Sequence, residues 1–395
     1  MRRYDGRRYV DHDVVRALRL RFGLRVVPDL TQRFLGSTFD PKANSLNALR
    51  LALALLVLVA HSAELGGYGR DLQPLGAWAV AGFFCISGYL ITASRDHSRS
   101  LGEFLWRRFL RIYPAFLAVL VVVAFAIAPA AGALAGAGAW APASAASYVV
   151  SNMGVWIFQL DIGGMLGSTP FPGVWNGSLW TLGYEALCYL VIGAVFLLTR
   201  STRRVTVALL FVSSSAVAVL AGEGIATVPT TAATFCSLSS YFLAGAILYL
   251  WRDRIPLRRS GTLIACVLVV ALAAGDHFPG LAGLPVAYLL MSLGIRLPLA
   301  RIGARNDVSY GVYIYAFPVQ QVLASLFAGS ALPLWAFIIL SLAFTMPLAW
   351  ASWFFVERPA LRAKNLFTRG TTLSRRRPDA VTRRSIENPP DAGLA

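Results

Sequence analysis

Residues Leu46–Leu65 read LNALRLALALLVLVAHSAEL, an apolar stretch that is long enough to cross a lipid bilayer as one helix. The stretch carries Arg50 near its start and His61 near its end. In a helix, side chains eleven positions apart point to nearly the same side and lie about 16 Å apart along the axis. Ionisable residues inside a membrane helix usually face a cavity or a partner. The stretch therefore predicts a membrane helix with a cation near one surface and a titratable base deeper in the bilayer.

The composition of the whole chain excludes an ordinary soluble domain, because the mean hydropathy is +0.61, 57% of the residues are hydrophobic and only 14% are charged. Repeated apolar runs predict an all-α, polytopic membrane protein with about ten transmembrane helices. The ten predicted spans are residues 46–65, 76–94, 112–134, 180–199, 205–222, 231–250, 260–275, 280–296, 309–328 and 333–355. Residues 46–356 then form one membrane domain.

The positive charge lies on one side of these spans. If the N-terminus is cytoplasmic, 35 of the 36 Lys and Arg residues fall in cytoplasmic segments, and only Arg70 falls outside. This bias follows the positive-inside rule and predicts that both termini are cytoplasmic. The net charge of +17 is therefore expected to face the surface of the cytoplasmic (inner) membrane of a bacterium rather than nucleic acid.

Three segments lie outside the spans. Residues 1–45 form a basic cytoplasmic tail, in which residues 13–24 have the pattern either of an amphipathic helix on anionic lipid or of a partly disordered segment. Residues 357–395 form a second basic cytoplasmic tail, which is expected to be disordered. The loop 135–179 is aromatic and nearly uncharged, so we expect it to lie partly in the membrane or to cover a cavity.

Glu185 is the carboxylate that lies deepest within a predicted span. Counting residues from the two membrane surfaces brings Glu185 and His61 to similar depth. A carboxylate beside His61 would fix one tautomer and stabilise the protonated imidazole, as a general base requires. The alternative is a structural buried ion pair.

Arg108 and Arg111 are three residues apart at the cytoplasmic start of the third span, so they share one helix face. Two guanidinium groups in this arrangement suit phosphate oxygens, and the alternative is that they anchor to lipid headgroups. Ser87, Tyr310 and Tyr313 are candidate pocket-lining residues. Small residues such as serine usually pack between membrane helices, so Ser87 is less favoured as a nucleophile.

Five motifs occur in order along the chain. They are Arg50 and His61 with ten residues between them, FFCISGYL at 83–90, Arg108 and Arg111 before Pro114, WTLGYE at 180–185, and ERP at 357–359. Together they resemble the membrane-bound acyltransferase-3 family over about residues 46–362. The chain departs from many relatives at Ala316, where they carry a second histidine.

The resemblance implies an O-acyltransferase that moves an acyl group, most often acetyl, from an acyl-CoA to a hydroxyl of a glycan, glycolipid or glycosylated metabolite. Acyl-CoA is then a co-substrate, and neither a metal nor a tightly bound cofactor is expected. Arg50, Arg108 and Arg111 are expected to bind the CoA phosphates. His61 is expected to act as a base or an acyl relay that Glu185 orients.

A different class of function is a proton-coupled transporter or flippase for a glycolipid or a small polar solute, with His61 and Glu185 as the proton relay. Many transporters are built from internal repeats, and the sequence contains none that we detect. The sequence therefore favours the enzyme.

Overall fold

A computed structural model describes residues 34–274, 278–327 and 332–365, and the regular elements of these residues are helices. The helices that build the fold are α1 (Leu46–Leu65), α2 (Gln73–Asp96), α3 (Leu101–Ala135), α4 (Pro142–Asn152), α5 (Trp180–Val195), α6 (Arg200–Gly222), α7 (Thr230–Leu250), α8 (Arg259–Ala274), α9 (Gly283–Arg296), α10 (Ser309–Leu326) and α11 (Leu334–Arg362). The predicted amphipathic segment 13–24 and residues 366–395 lie outside the described residues.

The helical, multi-pass membrane architecture is confirmed. Seven helices of the described residues are long and apolar enough to cross a membrane, namely α1, α2, α3, α5 with the turn before it, α6, α7 and α11. The other three predicted spans also coincide with helices. Of these, α8 and α9 have only 16 and 14 residues, and α10 is buried within the protein along most of its 18 residues.

Helix α3 begins at Leu101, well before the predicted start at residue 112. Ser100 caps this helix, because its side chain accepts a hydrogen bond from the backbone N–H of Glu103 (3.1 Å). The Glu103 carboxylate accepts in turn from the backbone N–H of Arg99 (2.8 Å), the residue before the cap, which further fixes the start of the helix. The early start places the arginines of residues 107–111 on a rigid helix rather than on a loop.

The loop 135–179 contains α4 and is fixed to α10 by hydrogen bonds. The side-chain N–H groups of Gln321 donate to the carbonyls of Phe171 and Val174 (both 2.7 Å). The side chain of Asn176 donates to the carbonyl of Ile314 (2.8 Å). The aromatic loop therefore packs as an ordered cover along one side of α10.

Helices α2 and α7 approach each other closely at two glycines. A Cβ atom added at Gly88 would lie 1.8 Å from the carbonyl oxygen of Phe242, and one added at Gly245 would lie 2.1 Å from that of Cys85. Membrane helices use small residues in this way to bring their backbones together. Gly88, which belongs to the FFCISGYL motif, therefore serves the packing of the fold.

Replacement of Gly88 by Ala is expected to lower the free energy of unfolding by about 1–3 kcal/mol, because the added methyl group overpacks the α2–α7 contact. Gly154→Ala is the matched control, since a Cβ atom there meets nothing within 4 Å. Thermal unfolding of the purified variants in detergent measures the difference. Equal stability of the two variants would contradict this role of Gly88.

Candidate active site

Two cavities lie among α1, α2, α5 and α10. The smaller one has a volume of about 110 Å³, and we call it the arginine cavity. Its lining includes seven of the predicted site residues, namely Arg50, Ser87, Arg108, Arg111, Glu185, Tyr310 and Tyr313. Residues that are far apart in the sequence therefore meet at the end of the bundle where α1, α3 and α10 begin.

Asp307, which the sequence analysis did not single out, organises two of these arginines. Its Oδ2 atom accepts hydrogen bonds from Nη1 of Arg50 (2.7 Å) and from Nη2 of Arg111 (2.5 Å). Its Oδ1 atom accepts from the hydroxyl of Ser309 (2.6 Å) at the start of α10. Burial alone would raise the pKa of Asp307, but the two guanidinium groups hold it below its usual value.

Glu357 of the ERP motif is a second carboxylate near Arg111. It is 2% exposed, and its Oε2 atom lies 3.8 Å from Nη1 of Arg111. It lies within α11, which continues beyond the predicted start of the tail at residue 357. The first, third, tenth and eleventh helices thus meet around one guanidinium group.

Arg108 differs from its neighbours because it forms no ion pair and no side-chain hydrogen bond within the described residues, and its Nε atom is buried without a partner. By contrast, the adjacent Arg107 is paired with Glu103 at 2.6 Å. Of the three arginines that line the cavity, Arg108 is therefore the one whose charge is not already bound by a carboxylate.

Glu185 faces the arginine cavity and does not bond to His61. Its Oε1 atom accepts hydrogen bonds from the hydroxyls of Ser87 and Tyr189, both at 2.6 Å. The sequence analysis placed Glu185 at the depth of His61, whereas the carboxylate here points toward α2 and lines the arginine cavity. The predicted hydrogen bond that would orient the imidazole is absent from the described residues.

His61 lines the second and larger cavity, which has a volume of about 670 Å³ and which we call the histidine cavity. The imidazole packs edge-on against the ring of Phe317 at 5.3 Å between centroids, and its Nδ1 atom is buried without a hydrogen-bond partner. Val80 and Tyr313 line both cavities. These two side chains therefore form a shared wall between the arginines and the histidine.

Helix α10 fixes both the wall and the backbone around His61. The hydroxyl of Tyr313 donates to the carbonyl of Ser178 (2.9 Å) and lies 2.7 Å from the hydroxyl of Thr181. About two turns after Tyr313, the side chain of Gln320 donates to the carbonyl of Leu58 and to the hydroxyl of Ser62, both at 2.8 Å. Leu58 and Ser62 flank His61 on α1, so Gln320 holds that turn in place. Gln320 could have been singled out from the sequence, because it is a polar residue within an apolar helix.

Comparison with known proteins decides the class of this site. Residues 43–354 match the profile of the acyltransferase-3 family, which is described as an acyltransferase domain. This chain belongs to the acyltransferase-3 family. Like other members of that family, it is an acyl-transferring enzyme, which favours this class over the transporter.

Two curated relatives of this acyltransferase cover most of its length. An O-acetyl transferase of Shigella phage Sf6 is 29% identical over 336 residues, which are 80% of this chain and 96% of the relative. Nodulation protein 10 of Rhizobium leguminosarum bv. viciae is 26% identical over 358 residues, which are 81% of this chain and 94% of the relative. No solved structure matches the acyltransferase significantly.

Replacement of Asp307 by Asn is expected to lower the free energy of unfolding by roughly 3–5 kcal/mol, because it removes the carboxylate that pairs with two largely buried guanidinium groups. Asp71→Asn is the control, since Asp71 is exposed and forms no ion pair within the described residues. Thermal unfolding in detergent at neutral pH measures both variants. A loss of similar size in the control would contradict this role of Asp307.

The lowered pKa also predicts the pH dependence of this contribution. The stabilisation by the ionised Asp307 is complete above the pKa of about 3.9 that Asp has in an unfolded chain. This stabilisation is lost as the pH falls from there toward the pKa of Asp307 in the folded protein. The stability of the wild-type protein should therefore fall more steeply below about pH 4 than that of Asp307→Asn, in melts at a series of pH values.

Proposed function

We propose that this enzyme is an O-acyltransferase that moves an acyl group, most simply acetyl, from acyl-CoA on the cytoplasmic side to a hydroxyl of a glycan, glycolipid or glycosylated metabolite. The observation that carries the proposal is the position of the arginine cavity and the histidine cavity on the two sides of one wall. The relative named as an O-acetyl transferase supports the choice of acetyl.

The arginine cavity is the proposed site of the donor phosphates. Phosphate groups are recognised by guanidinium groups, and charge-assisted hydrogen bonds of this kind are the strongest ones available to a protein. Arg108 supplies an uncommitted charge, while Arg50 and Arg111 offer the N–H groups that Asp307 leaves free. Glu185, which lines the same cavity, is proposed as a positioning residue for this donor end.

His61 is the proposed catalytic residue at the acceptor end. Its imidazole removes the proton from the acceptor hydroxyl as the oxygen attacks the thioester carbonyl. The carbon–sulfur bond then breaks, and the imidazolium returns the proton to the departing thiolate. The larger histidine cavity leaves space for the acceptor, which contacts Trp180 and the polar side chains of Glu64 and Gln73 at its lining.

A second route uses His61 as the nucleophile, so that the imidazole carries the acyl group before the acceptor takes it. This route suits a donor and an acceptor that approach from opposite sides of the membrane. The two routes differ in one observable, because label from the donor is bound covalently to His61 only in the second.

Replacement of His61 by Ala is expected to abolish acyl transfer, because both routes use the imidazole directly. The measurement is product formation from radiolabelled acetyl-CoA by purified protein, with membrane insertion checked for each variant. His97→Ala is the matched control, since His97 is exposed at the end of α2. Full activity of His61→Ala would contradict the proposal that His61 is the catalytic residue.

Replacement of Arg108 by Ala is expected to raise the KM for acyl-CoA about tenfold or more, since a hydrogen bond to a charged group contributes about 1.5–3 kcal/mol. Arg107→Ala is the matched control, because Arg107 is the neighbouring arginine and is paired with Glu103 outside the cavity. Steady-state kinetics at varied acyl-CoA measures both. An unchanged KM in Arg108→Ala would contradict the binding of acyl-CoA by Arg108 and would favour the alternative that Arg108 anchors to lipid headgroups.

A further inference from the structure

A third cavity lies at the same end of the bundle as the arginine cavity but among other helices. It has a volume of about 90 Å³ and lies where α2 and α7 end and α6 begins. Its charged lining consists of Arg200, Arg203, Arg204, Arg252, Asp96 and Asp253. The four guanidinium groups outnumber the two carboxylates, and none of these residues lines the arginine cavity.

Two of the guanidinium groups are held in place by aromatic rings and backbone carbonyls. Arg203 lies over the ring of Phe196 at 3.8 Å from the centroid and donates to the Phe196 carbonyl at 3.2 Å. Arg252 lies over the ring of Tyr249 at 4.1 Å and donates to the Tyr249 carbonyl at 2.9 Å. The cavity is therefore ordered before any ligand arrives, which lowers the entropic cost of binding.

The carboxylates do not balance this charge. Asp96 already accepts from the hydroxyl of Tyr249 (2.9 Å) and from Nη1 of Arg203 (3.5 Å). Arg200 and Arg204 are exposed at the cavity edge and form no ion pair within the described part of the chain. The backbone N–H groups at the start of α6 add to the positive potential. The site is therefore suited to a phosphate group.

The surface of α6 beyond this cavity indicates which phosphate compound binds. Val205, Leu209 and Val212 follow the arginines along α6, and each is more than half exposed, at 56%, 64% and 61%. Such a face is typical of a helix in contact with acyl chains. A soluble anion would use the arginines alone, whereas a phospholipid uses the arginines and the apolar face together.

We propose that the third cavity binds the phosphate headgroup of an anionic phospholipid, whose acyl chains lie along the exposed apolar face of α6. Basic pockets between membrane helices at a membrane surface are suited to such headgroups. This site is separate from the catalytic one, so the proposal stands or falls independently of the proposed acyl transfer.

The test compares two double variants that remove the same charge from the same end of the protein. Arg200→Gln with Arg204→Gln removes the two exposed arginines of the third cavity. Arg254→Gln with Arg258→Gln removes two exposed arginines nearby that do not line it. Retention of cardiolipin against phosphatidylcholine is measured by native mass spectrometry, after purification from mixed vesicles of the two lipids. Melting in pure phosphatidylcholine checks that each variant is folded.

We expect the wild-type protein and the control variant to retain cardiolipin with affinities within twofold of each other, and the cavity variant to lose at least tenfold. Equal losses in the two variants would mean a general charge effect and would overturn the proposal, as would no loss in either. Displacement of the bound lipid by millimolar inorganic phosphate or by CoA would overturn it too, because the site would then serve a soluble phosphate.

Discussion

The ion pairs of Asp307 with Arg50 and Arg111 are the interaction on which the arginine cavity depends. They join the starts of α1 and α3 to the start of α10, which the sequence separates by about 200 residues or more. Without Asp307, two guanidinium groups would face each other in a largely buried site and would repel. The carboxylate thus makes it possible to concentrate positive charge in one cavity of a membrane-embedded protein.

Helix α10 joins the arginine cavity to the histidine cavity. Ser309 and Asp307 lie at its beginning, Tyr313 forms the wall between the cavities, and Gln320 supports the turn of α1 that carries His61. Because Tyr313 and Gln320 lie on α10 and Asp307 lies two residues before it, this one helix helps to set the spacing between the arginines and His61. The hydroxyls of Tyr310 and Tyr313 and the side-chain N–H groups of Gln320 and Gln321 donate to protein acceptors, which fits the burial of α10.

Apolar run length was enough to predict the helices, since each of the ten predicted spans coincides with a helix of the structure. The sequence analysis singled out Arg108, Arg111, Ser87, Glu185 and Tyr310 one by one, but it matched the depth of Glu185 to His61 and not to the arginines with which Glu185 lines a cavity. The direction of Glu185 could not be predicted, because counting residues gives height along an axis and not rotation around it. Asp307 was missed because it lies in a short loop outside any span, and its importance depends on partners that are distant in sequence.

Tyr313 and Val80 have a consequence for the membrane as a barrier. A membrane protein with two adjoining cavities risks opening a conducting path, through which protons and ions would dissipate the transmembrane potential. Here an aromatic ring and a branched side chain lie where the two cavities adjoin. A bare ion crossing at this level would have to pass these two side chains without the solvation that water gives it, and such a passage is costly.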